Sequence, residues 1–377
     1  MPWSEGPRLR WRRLVEYMDR RNLDMVALGN QKNIFYFTGY LTRRIFLPTY
    51  LLVLKNGDPI LITGRDDKEE ASKTFGGEIV EYINYDLSLR MRPYPYSAVE
   101  TLQKILGKRL ENFSQIGIEE WGLDASFYRT LARMSPKASF HDISHDIILM
   151  RMRKDPDELE AIKKAEELND FTYQAAKNSA KAGVSEVEVY AAAYSQLIKK
   201  VGGYIYFYGD LVSGDRCINI GGPPTQRILN DGETLILDSW VVWKNYWSDT
   251  CRTFIIGGRA NPAKLKVYEV LKEALKAGEE KLRPGITGAE VYQAVYGVID
   301  KHGYGRFFPH HAGHGLGLEA WEPPYFIPGD THKLVDGAVV TLEPGVYFPD
   351  IGGIRLENNY LVKKDNVEQL NHFPLEP

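Results

Sequence analysis

The sequence predicts an α+β protein of two domains, a smaller α/β domain over residues 1–150 and a larger one over residues 151–377. Three observations predict it. The chain has 377 residues, which is long for a single core. Its first part alternates helix-like and strand-like segments. Its second part runs helix, helix, strands and then repeats that order, which suggests an internal duplication although the two halves share no obvious identity.

The elements follow in order. Residues 7–21 carry an amphipathic helical pattern, and the basic run RLRWRR (8–13) reads as its solvated face. The apolar runs DMVALG, NIFYFTGY, TYLLVLKNG and PILITG read as strand-like pieces, the last two joined by the turn signal NGDP. EIVEYI and QIGIEE continue the series, with a helix near 97–107, giving a mixed sheet flanked by helices. The domain boundary falls at RMRKDPDELEAIKKAEEL. There Asp155 caps a helix, Pro156 fits its first turn, and Asp157 and Glu158 favour its positive end. That helix runs to about 181, and GVSEVEVYAAAYSQLIKK begins the next. Strand-like segments follow at YIYFYGDLVSG, TLILDSWVVWKNYW and DTCRTFIIGG, and then a second helix pair at NPAKLKVYEVLKEALKAGEEKL and TGAEVYQAVYGVIDKHG. The remainder is strand and turn.

Composition narrows the function. Hydrophobic content of 44% and charged content of 26% are those of a soluble globular protein. A net charge of −3 gives nucleic acid no purchase. Two cysteines, Cys217 and Cys251, neither in a CxxC pair, fit a reducing cytoplasm and exclude a disulfide scaffold and thiolate zinc. No apolar run reaches the length of a membrane span, and Met-Pro-Trp-Ser-Glu lacks the plan of a signal peptide.

Five residues of the second domain carry the chemistry: Asp238, Asp249, His314, Glu343 and Glu357. Their contexts are LILDSW, YWSDTCRTF, HHAGHGLGLE, VVTLEPGVY and GGIRLENNY. Four carboxylates and an imidazole suit two divalent ions, Mn, Co, Fe or Zn. Such a pair would lower the pKa of a shared water toward neutrality, so the expected chemistry is hydrolytic. Asp238 and Asp249 lie 11 apart (249 − 238), within reach of one hairpin, and Glu343 and Glu357 lie 14 apart (357 − 343) around FPDIGG. Acids on apolar strands without cationic partners would be costly to bury, which favours metal over a structural role.

In this order and in these contexts the five resemble the prolidase, aminopeptidase P and creatinase family, peptidase family M24B, with its pita-bread fold. NIFYFTGY resembles the family's N-terminal domain and RMRKDPDELEAIKKA its interdomain start. The resemblance implies that Asp238 chelates one metal, that Asp249 and Glu357 bridge both, and that His314 and Glu343 bind the second. It implies that Glu343 accepts the proton of the attacking water, and that His310 donates a hydrogen bond to the developing oxyanion or leaving nitrogen. Arg355 would orient Glu357 and, with His310 and Trp321, lie on the substrate side. His311 has no counterpart and reads as incidental.

Three departures bear on substrate. Gly221 stands where the family usually has a histidine, Trp321 where proline peptidases place another, and Asn358 where Asp is common. In their place come aromatics, Trp240, Trp243, Trp247 and Trp321, with Tyr204, Tyr206 and Tyr208 upstream. Strand alternation puts Trp243 and Trp247 on one face, opposite Trp240, and most of this set reads as core and dimer contacts. Trp321 is the exception and would offer a wall to an apolar or cationic group.

The expectation is a cytoplasmic homodimer that cleaves a C–N bond in a short peptide or small amide, resembling an Xaa-Pro dipeptidase with altered specificity. In the family, the partner's N-terminal domain walls the cleft. The alternative is a lyase or hydrolase of an osmolyte-like or onium substrate on the same fold. A non-catalytic binding protein is disfavoured by the five intact ligands, and metal-free creatinase chemistry by the histidine missing at Gly221.

Overall fold

The chain folds as two units, Met1–Leu149 and Met150–Pro377. The computed structural model describes residues 4–42, 47–55, 59–83, 96–258 and 261–377.

In the first unit, helix α1 (Glu5–Arg21) buries Trp11, Leu14 and Met18. The basic run within it is only partly solvated. Arg8 and Arg12 are exposed, but Arg10 is buried, its Nε donating to Tyr36 O at 2.6 Å and its guanidinium lying 4.9 Å over the Tyr36 ring. Strand β1 (Met25–Leu28) comes next. The segment expected as a strand from 33 to 40 is instead mostly helix, α2 (Gln31–Thr38). The Asn30 side chain accepts from the Lys32 and Asn33 amides, and Gly39 closes the helix at φ 70°, so two local caps outweigh the β-rich composition. Strands β2 (Tyr50–Leu54) and β3 (Pro59–Gly64) pair antiparallel, while most of the NGDP turn lies outside the described residues. Helix α3 (Lys68–Ala71), β4 (Glu78–Tyr82), α4 (Tyr96–Leu106), β5 (Gln115–Ile118), α5 (Ala125–Met134), β6 (Ser139–Asp142) and α6 (Ser144–Arg151) follow. The sheet order is β4-β3-β2-β1-β5-β6, with β1–β2 and β2–β3 antiparallel and the other pairs parallel.

The second unit starts at the helix the sequence marks most clearly. Asp155 and Glu158 form a capping box on α7 (Pro156–Ser179), with the Asp155 amide donating to Glu158 Oε2 at 2.9 Å. Helix α8 (Glu186–Val201) carries a second box, Ser185 with Glu188. This helix pair covers strands β7 (Tyr206–Ser213), β8 (Thr234–Trp243) and β10 (Thr250–Ile255), while the two-residue β9 (Tyr246–Trp247) pairs with β8. Leu168, Tyr173, Val189, Leu197, Leu211, Leu237 and Phe254 form the core between them.

The arrangement then repeats. Helices α9 (Pro262–Glu279) and α10 (Gly288–Lys301) cover strands β11 (His314–Gly315), β12 (Glu322–Tyr325), β13 (Val339–Leu342), β16 (Asn358–Val362) and β17 (Val367–Gln369), in the order β12-β11-β13-β16-β17. The hairpin β14 (Gly345–Phe348) and β15 (Gly352–Arg355) stands beside it. Leu271, Leu275, Val291, Val295, Val340, Leu342 and Ile354 fill this second core. Each half is thus a helix pair over a sheet, as the sequence order suggests.

One facing is corrected. Lys244 (φ 48°) and Asn245 (φ 72°) make a tight two-residue turn between β8 and β9. Trp247 therefore pairs with Val242 and shares its face with Trp240, while Trp243 points the other way. Counting through a single strand gives the wrong face because the chain reverses at 244–245.

Candidate metal centre

Asp238 lies in the middle of β8, directly opposite Cys251 of β10, so Asp249 stands just before the neighbouring strand. The backbone around Asp249 is held by buried groups. Its amide donates to Glu166 Oε1 at 3.3 Å, and its carbonyl accepts from Asn359 Nδ2. Tyr173 Oη donates to the Thr250 carbonyl, and Ser239 Oγ bonds to Asn169 Oδ1 at 2.8 Å.

The other three residues come from the second half. Gly313 (φ 148°) lets its loop run flush against β13, where a Cβ would stand 2.1 Å from Thr341 O. His314 is anchored there by its amide, which donates to Thr341 Oγ1 at 3.2 Å. Its Nδ1 bonds the Gly315 carbonyl at 2.9 Å; a carbonyl can only accept, so Nδ1 carries a proton and Nε2 is the nitrogen that faces the acids. Glu343 follows β13 directly, and Thr341 Oγ1 donates to its Oε1 at 3.3 Å. Glu357 sits between β15 and β16, its carbonyl taken by buried Arg252.

All five side chains are buried, and their ligand atoms fall into two groups. Asp238, Asp249 and Glu357 bring oxygens within 4.8 Å of one another, and His314 and Glu343 do the same together with His311. His314 Nε2 lies 3.5 Å from Asp249 Oδ2 and 3.3 Å from Glu343 Oε1, so Asp249 reaches toward both groups.

Electrostatics show what the cluster lacks. Burial, and then the neighbouring carboxylates, push Asp249 and Glu357 well above the ordinary range. Burial lifts Asp238 to about 6, with Arg355 opposing and Glu343 and Asp210 adding to the rise. Glu343 is raised by burial too, but His311 and His314 against it carry it well below the usual carboxylate value. Asp238 Oδ1 and both Glu357 oxygens are buried without a hydrogen-bond partner. Partnerless buried oxygens that repel one another are what divalent cations satisfy, and an oxygen-rich donor set with imidazole suits the ions named above.

Several expectations change. Arg355 does not bond Glu357. Its Nη2 donates to Asp238 Oδ2 at 2.6 Å and its Nη1 to Tyr347 Oη and Ile220 O, each at 2.9 Å. It is buried at the end of β15, and its guanidinium holds Asp238. His310 is not set up as a donor. Its Nδ1 donates to His311 O at 2.7 Å, so neutral Nε2 is an acceptor and faces Tyr347 Oη at 2.9 Å. Burial holds its pKa down at about 4, keeping the ring neutral. His311 is not incidental, since its Nδ1 lies 3.2 Å from Glu343 Oε1.

Sequence reasoning missed Tyr347, Glu166, Arg252, Asn359 and Asp210. The last had a usable signal. Asp210 is directly opposite Asp238 in the β7–β8 ladder and shares its face. Its carboxylate fills the space beside Gly221, where a Cβ would come 2.0 Å from Asp210 Oδ2. Asn358, the third departure, lies outside the cluster and bonds Arg252 at 3.0 Å. Along the Asp238 face run Tyr208 stacked on Trp240 at 5.4 Å and Tyr206 edge-on to Trp247 at 5.5 Å. Trp321, 55% exposed, packs on His311 and His314 with centroids at 4.6 and 5.0 Å.

A helix-backed sheet pair that gathers four carboxylates and a histidine, in a chain that also has an α/β N-terminal unit, defines a hydrolase of the metallopeptidase kind. The chain belongs to metallopeptidase family M24: that family's model matches residues 160–364, and the creatinase/prolidase N-terminal domain matches residues 10–153. An uncharacterized peptidase of Staphylococcus aureus is 30% identical over 96% of this chain and 98% of its own length. The Xaa-Pro dipeptidase of Bacillus anthracis superposes with TM-score 0.86 at 26% identity, covering 98% of this chain and 99% of that one. The prolidase of Pyrococcus horikoshii gives 0.83 at 27% identity, covering 97% and 98%. The chain is therefore an enzyme of the peptidase class. Among the described residues no helix is long and apolar enough to cross a membrane.

Proposed function

We propose that the chain is a two-metal dipeptidase with a specificity shifted away from proline. The observation that supports it is the set of partnerless buried oxygens on Asp238 and Glu357, facing Asp249, His314 and Glu343. Asp238, Asp249 and Glu357 would hold one ion, and His314 and Glu343 the other, with Asp249 and Glu357 shared. Bound there, two ions of Mn, Co, Fe or Zn would supply Lewis acidity and a water acidic near neutral pH.

The chain's own groups then divide the remaining work. Glu343, kept ionised, takes the proton of the attacking water and passes it to the leaving nitrogen. Arg355 fixes Asp238, and Tyr347 fixes Arg355. His310 acts through Tyr347 as a positioning residue. Trp321 and the Tyr208–Trp240 stack wall the substrate side. The enzyme works as a cytoplasmic homodimer whose partner closes the cleft.

Asp210 beside these aromatics favours a second reading, a substrate that carries a cationic group, including an onium compound outside the peptides.

The test is a dipeptide panel, with and without proline in the second position, given to metal-stripped protein reloaded with Mn, Co or Zn. Asp249→Ala serves as control. Metal-dependent cleavage that prefers non-proline peptides is expected. Turnover by stripped protein, or undiminished turnover by the control, would sink the two-metal reading. A strong preference for Xaa-Pro would sink the shifted specificity.

A further inference from the structure

We propose that His311 is a further metal ligand, giving the ion at His314 and Glu343 two imidazole nitrogens instead of one. This rests on the two-metal reading above.

The two adjacent histidines are held differently. His310 Nδ1 donates to the His311 carbonyl and its Nε2 accepts from Tyr347 Oη, so both nitrogens of the first ring are engaged. The second ring places its Nδ1 against an acid. His311 Nδ1 lies 3.2 Å and His314 Nε2 3.3 Å from the same atom, Glu343 Oε1, and His314 Nε2 lies 3.5 Å from Asp249 Oδ2. A tetrahedral ion with metal–nitrogen and metal–oxygen bonds of about 2.0–2.1 Å has ligand-to-ligand edges of about 3.3 Å. The three measured separations are those edges. Asp249 reaches this set through His314, so His311 would join His314, Glu343 and the shared Asp249 and Glu357 around this ion.

Trp321 keeps the rings in place. Its indole meets His311 edge-on at 78° and lies over His314 at 30°. Indole nitrogen is a donor only and cannot compete for a metal, so Trp321 orients the imidazoles without joining them. A second nitrogen also changes which ion the site prefers. Imidazole suits Zn and Fe while oxygen ligands suit Mn, so a second nitrogen would disfavour Mn further in this half of the centre.

The competing account is a simple ion pair, in which a protonated His311 neutralises Glu343 and never touches a metal. The two differ in what removal of the ring does to ion binding. Stripped protein would be titrated with Co(II) and with Zn(II), following heat and, for Co(II), the visible spectrum. Wild type should bind two ions. His311→Ala should retain one and bind the second at least about tenfold more weakly, with altered visible bands. His311→Asn keeps the bulk and an oxygen near the Nδ1 position, and should recover part of the loss. Unchanged or tighter second-site binding in both variants would overturn the proposal. X-ray absorption of wild type loaded with two Zn(II) gives an answer independent of how the variants fold. Two imidazoles shared over the two ions are expected, and one would refute His311 ligation while leaving the two-metal reading intact. Fewer than two ions bound by wild type would overturn the two-metal reading and this proposal with it.

Discussion

Restoring a histidine at position 221 should fail unless Asp210 is removed as well. A Cβ at 221 would stand 2.0 Å from Asp210 Oδ2, 2.8 Å from its Cγ and 3.3 Å from its Cβ. The carboxylate must retreat by at least about 1 Å, and overpacking of that kind costs about 1–3 kcal/mol. The loop has little give. Ile220 beside it is a β-branched residue at φ 72°, and its carbonyl is held by Arg355 at 2.9 Å. At about 2–4 °C per kcal/mol for a unit of this size, Gly221→His should lower the melting temperature of metal-stripped protein by about 2–12 °C. Asp210→Ala alone should be mild, since it removes a like charge opposite Asp238. In the double variant most of the loss should disappear, giving a coupling of about 1 kcal/mol or more. Thermal unfolding of the four proteins supplies the cycle. Cleavage of Gly-Pro relative to Gly-Leu by reloaded enzyme supplies the functional side, and the ratio should rise in the double variant alone. Gly221→His with an unchanged melting temperature and an additive cycle would refute the idea that Asp210 holds the histidine's place.

Other consequences can be measured directly. Glu322 is buried against Arg151 and against Lys154 at 3.0 Å, and despite the burial these cations hold its carboxyl at about 2 instead of 4.5. That corresponds to about 3 kcal/mol of stability, fully present above pH 4.5 and lost as pH falls toward 2. Glu322→Gln should therefore cost about 3–5 kcal/mol at pH 7 in denaturant melts, because it strands two buried cations, and the penalty should shrink steadily below pH 4.5. A penalty independent of pH over that range would contradict the assignment. Tyr347→Phe removes the hydroxyl between His310 and Arg355, so kcat should fall about tenfold or more with little change in KM; a change confined to KM would place Tyr347 on the substrate side instead. Arg252 donates to three backbone carbonyls and to Asn358, so Arg252→Met should destabilise by about 3 kcal/mol and loosen binding at Glu357; wild-type melting would refute that role.

Much of the fold is legible in the sequence itself. Asp155 and Pro156 mark the start of α7 because caps are local chemistry, and the ligand contexts stand out because acids on apolar strands need a reason. What could not be read depends on distant parts of the chain. Arg355 bonds Asp238, 117 residues away, and not its near neighbour Glu357. Trp247 changes face because two residues with positive φ reverse the strand before it. The helix at 31–38 has β-favouring composition, and only its Asn30 and Gly39 ends give it away. His311 and His310 are adjacent in sequence and identical in type, and only the fold shows that His310 engages its nitrogens with a backbone carbonyl and Tyr347 while His311 Nδ1 lies against Glu343.

The two repeated halves of the second unit have a mechanical consequence. Asp238 and Asp249 belong to the half built on α7 and α8, while His314, Glu343 and Glu357 belong to the half built on α9 and α10. Ions bound between them, as proposed, would act as an internal cross-link between the two halves. Without ions the buried carboxylates must repel one another or take up protons. Chelation should then loosen the seam between the two sheets before either helix pair melts, so protease cuts near the seam should come earlier than loss of helical signal. The centre that serves hydrolysis would thus also serve as the clasp of the domain.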